Sequence, residues 1–277
     1  MVDPSVRRFK RPVACRLIPG AIALRLKICH NTHINPQGSA KAVRGLNRKV
    51  GAIACREMMN KKRTIIYIDG YNLYYGLLKG SVHKWLDLLA FASALLNDTH
   101  EIIEIRYYTS IVKPSPYDAA AVERQNVYLQ ALGTIAIVKV IFGFYSKHTA
   151  LMAPQRKKCA VCEEAKDGYV RVMKLEEKRS DVNLAVDAVT DAALDRADSI
   201  VLITGDSDQT GTIERIRRQF KKPVIVFDPH EKESQHLKKA ATFYKNIPRD
   251  LHARCQLPDA IPVGTHGNFI RRPAAWK

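Results

Sequence analysis

Arg63 to Asn72 reads R-T-I-I-Y-I-D-G-Y-N. Thr64 to Ile68 is a run of β-branched and aromatic residues without polar alternation, the pattern of a strand buried on both faces. The run stops at Asp69, and Gly70 lets the chain turn sharply behind it. In open α/β sheets, ligands gather just beyond the carboxyl ends of the strands. A carboxylate placed there is costly unless it is solvated, paired or bound to a cation. Taken alone, Asp69 reads equally well as the cap of a following helix.

A second stretch has the same form. Ser199 to Thr204, S-I-V-L-I-T, is apolar throughout and runs into Gly205-Asp206-Ser207-Asp208. Further strands are expected at Glu101–Thr109, Thr134–Phe142, Tyr169–Leu175 and Pro223–Phe227. Between them, Asn72–Leu78 should open a short helix, and Trp85, Leu86, Leu88, Leu89, Phe91, Ala92, Leu95 and Leu96 recur at helical spacing. Asp118 reads as the N-cap of a helix that ends near Leu132 at Gly133. Val182–Ala197 is a helix whose apolar face is read as Val182, Ala185, Val186, Val189 and Ala193. Asp191, Asp195 and Asp198 read as its solvated side. Basic Thr212–Phe220 and short Ser234–Ala241 complete the helices. Strands alternating with helices imply a mainly parallel sheet with right-handed crossovers. The economical division is one α/β domain over residues 62–250 and an irregular tail over 251–277.

Charge is the unusual part of the composition. The 45 Lys and Arg against 27 Asp and Glu give a net +18. Residues 1–57 hold 12 basic and 2 acidic residues and show no helical or strand period. They read as the core of a basic, disordered extension over 1–61, with Met58-Met59 as an alternative start of translation. The remainder is moderately basic, which favours a polyanionic partner. Six scattered cysteines do not resemble a disulfide framework, and no apolar run is long enough to span a bilayer. A cytoplasmic protein without a membrane partner is expected. A Lys-rich insert at 145–168 holds Cys159-Ala-Val-Cys162, half of a zinc site to which His148 or Cys255 could add a ligand. Two reduced cysteines in a surface loop are the plainer reading.

Two buried strands thus end in acids at a glycine turn, and Asp181 starts a helix, where a carboxylate also suits the helix dipole. If the strands ending at Asp69 and Thr204 are neighbours, then Asp69, Asp181, Asp206 and Asp208 converge at the switch point of the sheet. Four negative charges in a crevice need compensation. A hard divalent cation such as Mg²⁺ or Mn²⁺ suits oxygen ligands. Such an ion can acidify a bound water and stabilise charge on a phosphoryl group, while a basic surface attracts a nucleic-acid backbone.

I-D-G-Y-N at Ile68–Asn72, E-E-K-R-S-D-V-N-L-A-V-D at Glu176–Asp187 and T-G-D-S-D at Thr204–Asp208 resemble the NYN domain, a branch of the PIN-like nuclease fold. The resemblance covers roughly residues 62–250. It implies a three-layer α/β sandwich around a parallel sheet of about five strands in the order 3-2-1-4-5, and a metal-dependent ribonuclease acting on RNA. Carried over by motif, Asp69, Asp181, Asp206 and Asp208 would be catalytic ligands of Mg²⁺ or Mn²⁺, directly or through water. Asn72 would position substrate or a metal-bound water. Gln209 stands where relatives often carry an aromatic or apolar residue.

The same family includes an NADH- and oxygen-dependent monooxygenase that acts on a hydroxypyridine in nicotine degradation, so that chemistry is the alternative expectation. The residues give it little support. There is no G-x-G-x-x-G turn for a dinucleotide, and no set of two histidines and a carboxylate for iron. The nine histidines lie outside the acidic motifs. A further alternative is a non-catalytic RNA-binding module that keeps the acids for structure.

Overall fold

The computed structural model describes residues 61–277 except 115–117, 154–168 and 265–266. Residues 1–60 of the expected extension, and the Cys159–Cys162 pair with its zinc reading, lie outside the described residues. The first strand, β1 (Lys62–Asp69), enters exposed and is buried from Thr64 onward. It leads into helix α1 (Gly70–Leu73), which continues without a break as a π turn over Tyr74–Leu78. Helix α2 (Leu88–Leu95) is capped by Asp87, whose carboxylate accepts from the N–H groups of Leu89 and Ala90. Strand β2 (His100–Thr109), helix α3 (Ala121–Leu132) and strand β3 (Val138–Phe142) follow. Asp118 does not cap α3. No side chain does, and the Asp118 carboxylate instead pairs with Arg124.

The expected irregular insert begins as structure over 145–152, and residues 154–168 of it lie outside the described residues. Strands β4 (Phe144–Met152) and β5 (Val170–Lys178) form an antiparallel hairpin, and β5 delivers the chain into helix α4 (Ser180–Ala193). Strand β6 (Ser199–Ile203), helix α5 (Thr210–Gln219), strand β7 (Val224–Asp228), helix α6 (Gln235–Ala240) and strand β8 (Phe243–Asn246) complete the alternation. The tail is not irregular throughout. After the short helix α7 (Leu251–Arg254) come strands β9 (Ala260–Val263) and β10 (Asn268–Arg271), paired antiparallel. Beyond them Trp276 packs near Trp85 and Tyr128, and Trp85 Nε1 donates to the carbonyl of Pro258 at 2.9 Å.

The central sheet has six parallel strands in the order β3-β2-β1-β6-β7-β8. Its first five reproduce the expected order. The sixth, β8, is a four-residue edge strand with mixed polarity and no periodicity to announce it. Side chains alternate between the two faces of a strand, so each buried strand feeds two cores. Ile66, Ile68, Ile105, Val201 and Ile203 pack beneath Trp85, Phe91, Tyr128 and Leu132. Ile65, Tyr67, Ile200, Leu202 and Val226 pack beneath Leu184, Ala188, Ile213 and Ile216. The result is an α/β sandwich with helices on both sides. Among the described residues, no helix is long and apolar enough to cross a membrane.

Helix α4 corrects the sequence reading. Its inward face is Leu184, Ala188, Asp191 and Ala192, while Val182 and Val186 are 63% and 57% exposed. Asp191 is therefore buried, not solvated. It accepts from Tyr67 Oη at 2.7 Å and pairs with Arg106 Nη2 at 2.8 Å and Arg196 Nη1 at 2.9 Å. Paired in this way, a buried carboxylate is tolerated. An aspartate on the inner arc made that arc look polar, and the arc of Val182, Ala185, Val186, Val189 and Ala193 offered an apolar alternative.

Candidate metal centre

Strands β1 and β6 lie side by side, with Ile68 opposite Ile203. From this pair the strand order runs outward in both directions, so their carboxyl ends flank the switch point of the sheet. Asp69 ends β1 and is 3% exposed. Its Oδ1 accepts from the backbone N–H groups of Tyr71 at 3.1 Å and Asn72 at 3.0 Å, capping α1. Its Oδ2 accepts from Asn72 Nδ2 at 2.5 Å and Thr204 Oγ1 at 3.2 Å. The cap and the ligand readings of Asp69 are thus compatible, because capping fixes where the carboxylate points.

After β6 the chain repeats the device. Thr204 Oγ1 accepts from the Asp206 N–H at 3.1 Å, and Asp206 Oδ1 accepts from the Asp208 N–H at 3.0 Å. Asp181 arrives from a third direction, in the first turn of α4. Arg179, just before that helix, has φ 80°, a left-handed conformation that a side chain makes costly. This turn aims the first residues of α4 at the end of β1. Gln209 is buried, donating from Nε2 to the Asp181 carbonyl at 3.3 Å and accepting from Thr212 Oγ1 at 3.0 Å. It ties the starts of α4 and α5 together.

Carboxylate oxygens of Asp69, Asp181 and Asp206 lie within 4.8 Å of one another. Asp208 stands outside this trio, exposed on the 3₁₀ turn Ser207–Gln209. Both polar atoms of Asn72 are engaged: Nδ2 donates to Asp69, and Oδ1 accepts from the Gly205 N–H at 3.3 Å. It pins the end of β1 to the end of β6.

The electrostatics follow from this crowding. Asp181 is pushed up to about 6, by loss of hydration first and then by the charges of Asp69, Asp206, Glu177 and Asp208. Burial also raises Asp69, against the pull of hydrogen bonds from Asn72 and Thr204. Among the described residues, no Lys or Arg pairs with any of the three acids. Three convergent oxygen donors without a countercharge are the donor set of a hard divalent cation. The residues fit such an ion.

Two residues near the pit were not singled out from the sequence. Glu177 Oε1 accepts from Ser110 Oγ at 2.9 Å and Ser180 Oγ at 2.6 Å, bridging β2, β5 and α4. Its place four residues before Asp181 was the available signal. His230 stands against Gly205, where a Cβ would come within 2.2 Å of its Nδ1. That Nδ1 lies 3.2 Å from Asp228 Oδ1, and Asp228 Oδ2 accepts from Tyr244 Oη at 2.7 Å. Nothing in the sequence links β7 to the acidic motifs, since their proximity comes from strand order alone.

A parallel three-layer sandwich with carboxylates gathered at its switch point defines a PIN-like domain. The chain belongs to the NYN domain family, a family of PIN-like nucleases, whose model matches residues 63–247. It is 32% identical over 228 residues, 72% of each chain, to the 6-hydroxy-3-succinoylpyridine 3-monooxygenase HspA of Pseudomonas putida. Among solved structures it is similar to a protein of unknown function from Vibrio parahaemolyticus. That likeness has a TM-score of 0.42 and 20% identity, covering 69% of this chain and 96% of the other.

Proposed function

We propose that this protein is a metal-dependent ribonuclease whose Mg²⁺ or Mn²⁺ is held by Asp69, Asp181 and Asp206, with Asp208 acting through water. The observation that carries the reading is the convergence of three carboxylates within 4.8 Å at the switch point. A divalent ion held there supplies Lewis acidity toward a phosphoryl group. Asn72 and Thr204 hold Asp69 in place for it. His230, oriented by Asp228, serves as the proton donor for the departing oxygen. Lys147, Arg171, Lys174 and Lys178 are exposed on the hairpin that delivers Asp181, and they attract the RNA backbone.

The test is cleavage of RNA by the purified full chain with Mn²⁺, and its loss with chelator. Asp69→Asn and Asp206→Asn should each abolish cleavage with the circular dichroism spectrum intact. Cleavage undiminished in both variants overturns the reading. RNA bound with strong salt dependence but never cut supports the non-catalytic module instead.

A second reading rests on the 32% identity to HspA. It makes the protein an NADH- and oxygen-dependent hydroxylase of a hydroxypyridine. Its test is NADH oxidation that depends on 6-hydroxy-3-succinoylpyridine, and a pure sample showing none removes it.

A further inference from the structure

Beside the metal centre is a cavity of about 310 Å³ that the acidic site does not use. Gly70 and Tyr71, the two residues that follow Asp69, form part of its wall, so the cavity begins one residue from the pit. The α1 segment and its π turn therefore serve two faces. Asn72 turns toward Asp69, while Tyr71, Tyr74, Tyr75 and Leu78 line the cavity. Tyr107 and Tyr128 form the far wall, both nearly buried.

The aromatic rings differ in how free they are. Tyr71 Oη donates to the Ser110 carbonyl at 3.1 Å and meets Tyr145 Oη at 2.7 Å, and Tyr128 Oη donates to the Leu86 carbonyl at 2.9 Å. Those rings are fixed walls. Tyr74 and Tyr75 meet edge to face at 5.3 Å and are 37% and 58% exposed. The Lys79 ammonium lies over the Tyr75 ring, 4.8 Å from its centroid, and the remaining exposed ring surface is available for stacking.

The cavity also has a sign. Lys84 and Arg124 both line it, against one acid, Asp118, which pairs with Arg124. Lys84 donates to the Ser81 carbonyl and has no carboxylate partner among the described residues. Burial and the neighbouring Arg124 charge lower its pKa. The charge of Asp118 offsets part of this, and an anion beside Lys84 would offset more.

Aromatic walls with an unpaired cation select a flat heteroaromatic ring that carries an anionic group. About 310 Å³ lies at the small end of ligand pockets, which run from about 300 to 1,000 Å³, and suits one such unit rather than two. We infer that this cavity binds one nucleotide of the RNA chain, with its base stacked on Tyr75, its edge toward the perpendicular ring of Tyr74, and its phosphate toward Lys84. This rests on the ribonuclease reading and extends it: the enzyme selects a base next to the phosphodiester it cuts. Stacking tolerates any base, so selectivity comes from the cavity's size and polar rim.

Binding of the four nucleoside 5′-monophosphates to the full chain in chelator, followed by calorimetry, tests this apart from cleavage. At least one should bind saturably. Tyr75→Ala should weaken it about 5- to 150-fold, the range for losing one stacked base. Lys84→Ala should weaken it about tenfold or more, as loss of a charge-assisted contact does. Asp69→Asn should bind as the parent does. Ribose 5-phosphate binding as tightly as the nucleotides, or nicotinate binding more tightly than all four, would overturn the assignment of a nucleotide. So would RNA cleavage in Mn²⁺ by a protein that binds no mononucleotide. Nucleotide binding that survives where RNA is never cut would sustain the cavity and remove only the cleavage reading.

Discussion

Asn72 donates from Nδ2 to Asp69 Oδ2 across 2.5 Å, and its backbone N–H donates to Oδ1 of the same carboxylate at 3.0 Å. Asn72 therefore touches both oxygens of the most buried acid in the pit, sharing them with the Tyr71 N–H and Thr204 Oγ1. Asn72→Ala removes the side-chain bond and the tie to Gly205 but keeps the cap. Loss of a residue that orients a metal ligand costs about 10- to 100-fold in metal affinity. Mn²⁺ titration followed by electron paramagnetic resonance should show that loss with the fold retained, and unchanged affinity would deny Asn72 this role.

Proton linkage at the pit has a definite sign. Asp181 titrates near 6 in the folded protein, above the usual carboxylate range. The folded state thus binds this proton more tightly than the unfolded state does. Its contribution to stability is fully present below about pH 4, the unfolded value, and is lost as pH rises through about 6. Metal-free Asp181→Asn should therefore melt higher than the parent at pH 7.5, and the gap should close by pH 4. Saturating Mn²⁺ should reverse the order at pH 7.5. A thermal-shift series over pH with chelator checks this, and a gap that widens toward low pH would contradict it.

Asp191 holds a different kind of charge. It joins Tyr67, Arg106 and Arg196 beneath the second core, and its partner Arg106 is itself only 11% exposed. Removing one member of a buried pair costs about 3–5 kcal/mol. Arg106 keeps Glu104 and Asp187 as partners, so the lower end applies. Asp191→Ala should lower the unfolding free energy by about 3 kcal/mol in urea, with Mn²⁺ affinity little changed in the folded fraction.

Gly70 meets two walls at once. A Cβ there would come 2.6 Å from the Tyr108 carbonyl and 2.8 Å from the Tyr107 ring. One of these contacts is backbone, so the start of α1 must shift. Overpacking of this kind costs about 1–3 kcal/mol. Gly70→Ala should lose that stability and, unlike Asp191→Ala, also weaken Mn²⁺ binding, because Asp69 moves with the helix it caps.

His230→Asn separates the pit from its rim. Mn²⁺ affinity should be unchanged, while the cleavage rate should fall about 10²- to 10⁴-fold, the usual contribution of a positioned acid or base. A rate within a factor of two of the parent would remove the proton-donor role.

The two apolar strands that end in Asp-Gly and Gly-Asp could be read directly, since Ile66, Ile68, Val201 and Ile203 are buried on a sheet covered on both faces. The alternation of strands with helices gave the α/β class, whereas the order of the first five strands, which makes Asp69 and Asp206 neighbours, was implied by the NYN resemblance and not by these stretches alone. Features that arise only from three-dimensional neighbours could not be read. Asp191 looks solvated until Arg106 on β2 is seen opposite it. Val182 and Val186 look like core until α4 is seen turned by that same pair. His230 and the acidic trio share no sequence pattern. Strand β5 was expected over Tyr169–Leu175, but its partner β4 was hidden because most of its side chains face water and show no burial period.

The π turn at Tyr74–Leu78, closed by the Lys79 N–H on the Tyr74 carbonyl at 2.7 Å, holds one residue more than an α turn. Deleting that extra residue would restore a regular helix and rotate the helical residues after the deletion, up to Leu78, by about 100°. Asp69 and Asn72 lie before the turn and would not move, whereas Tyr75 and Leu78 would swing off the cavity wall. A single-codon deletion would therefore reshape the aromatic cavity while leaving the acidic pit in place. Length variation at this one position is where divergence in substrate among proteins of this architecture could begin, with the acidic pit inherited intact.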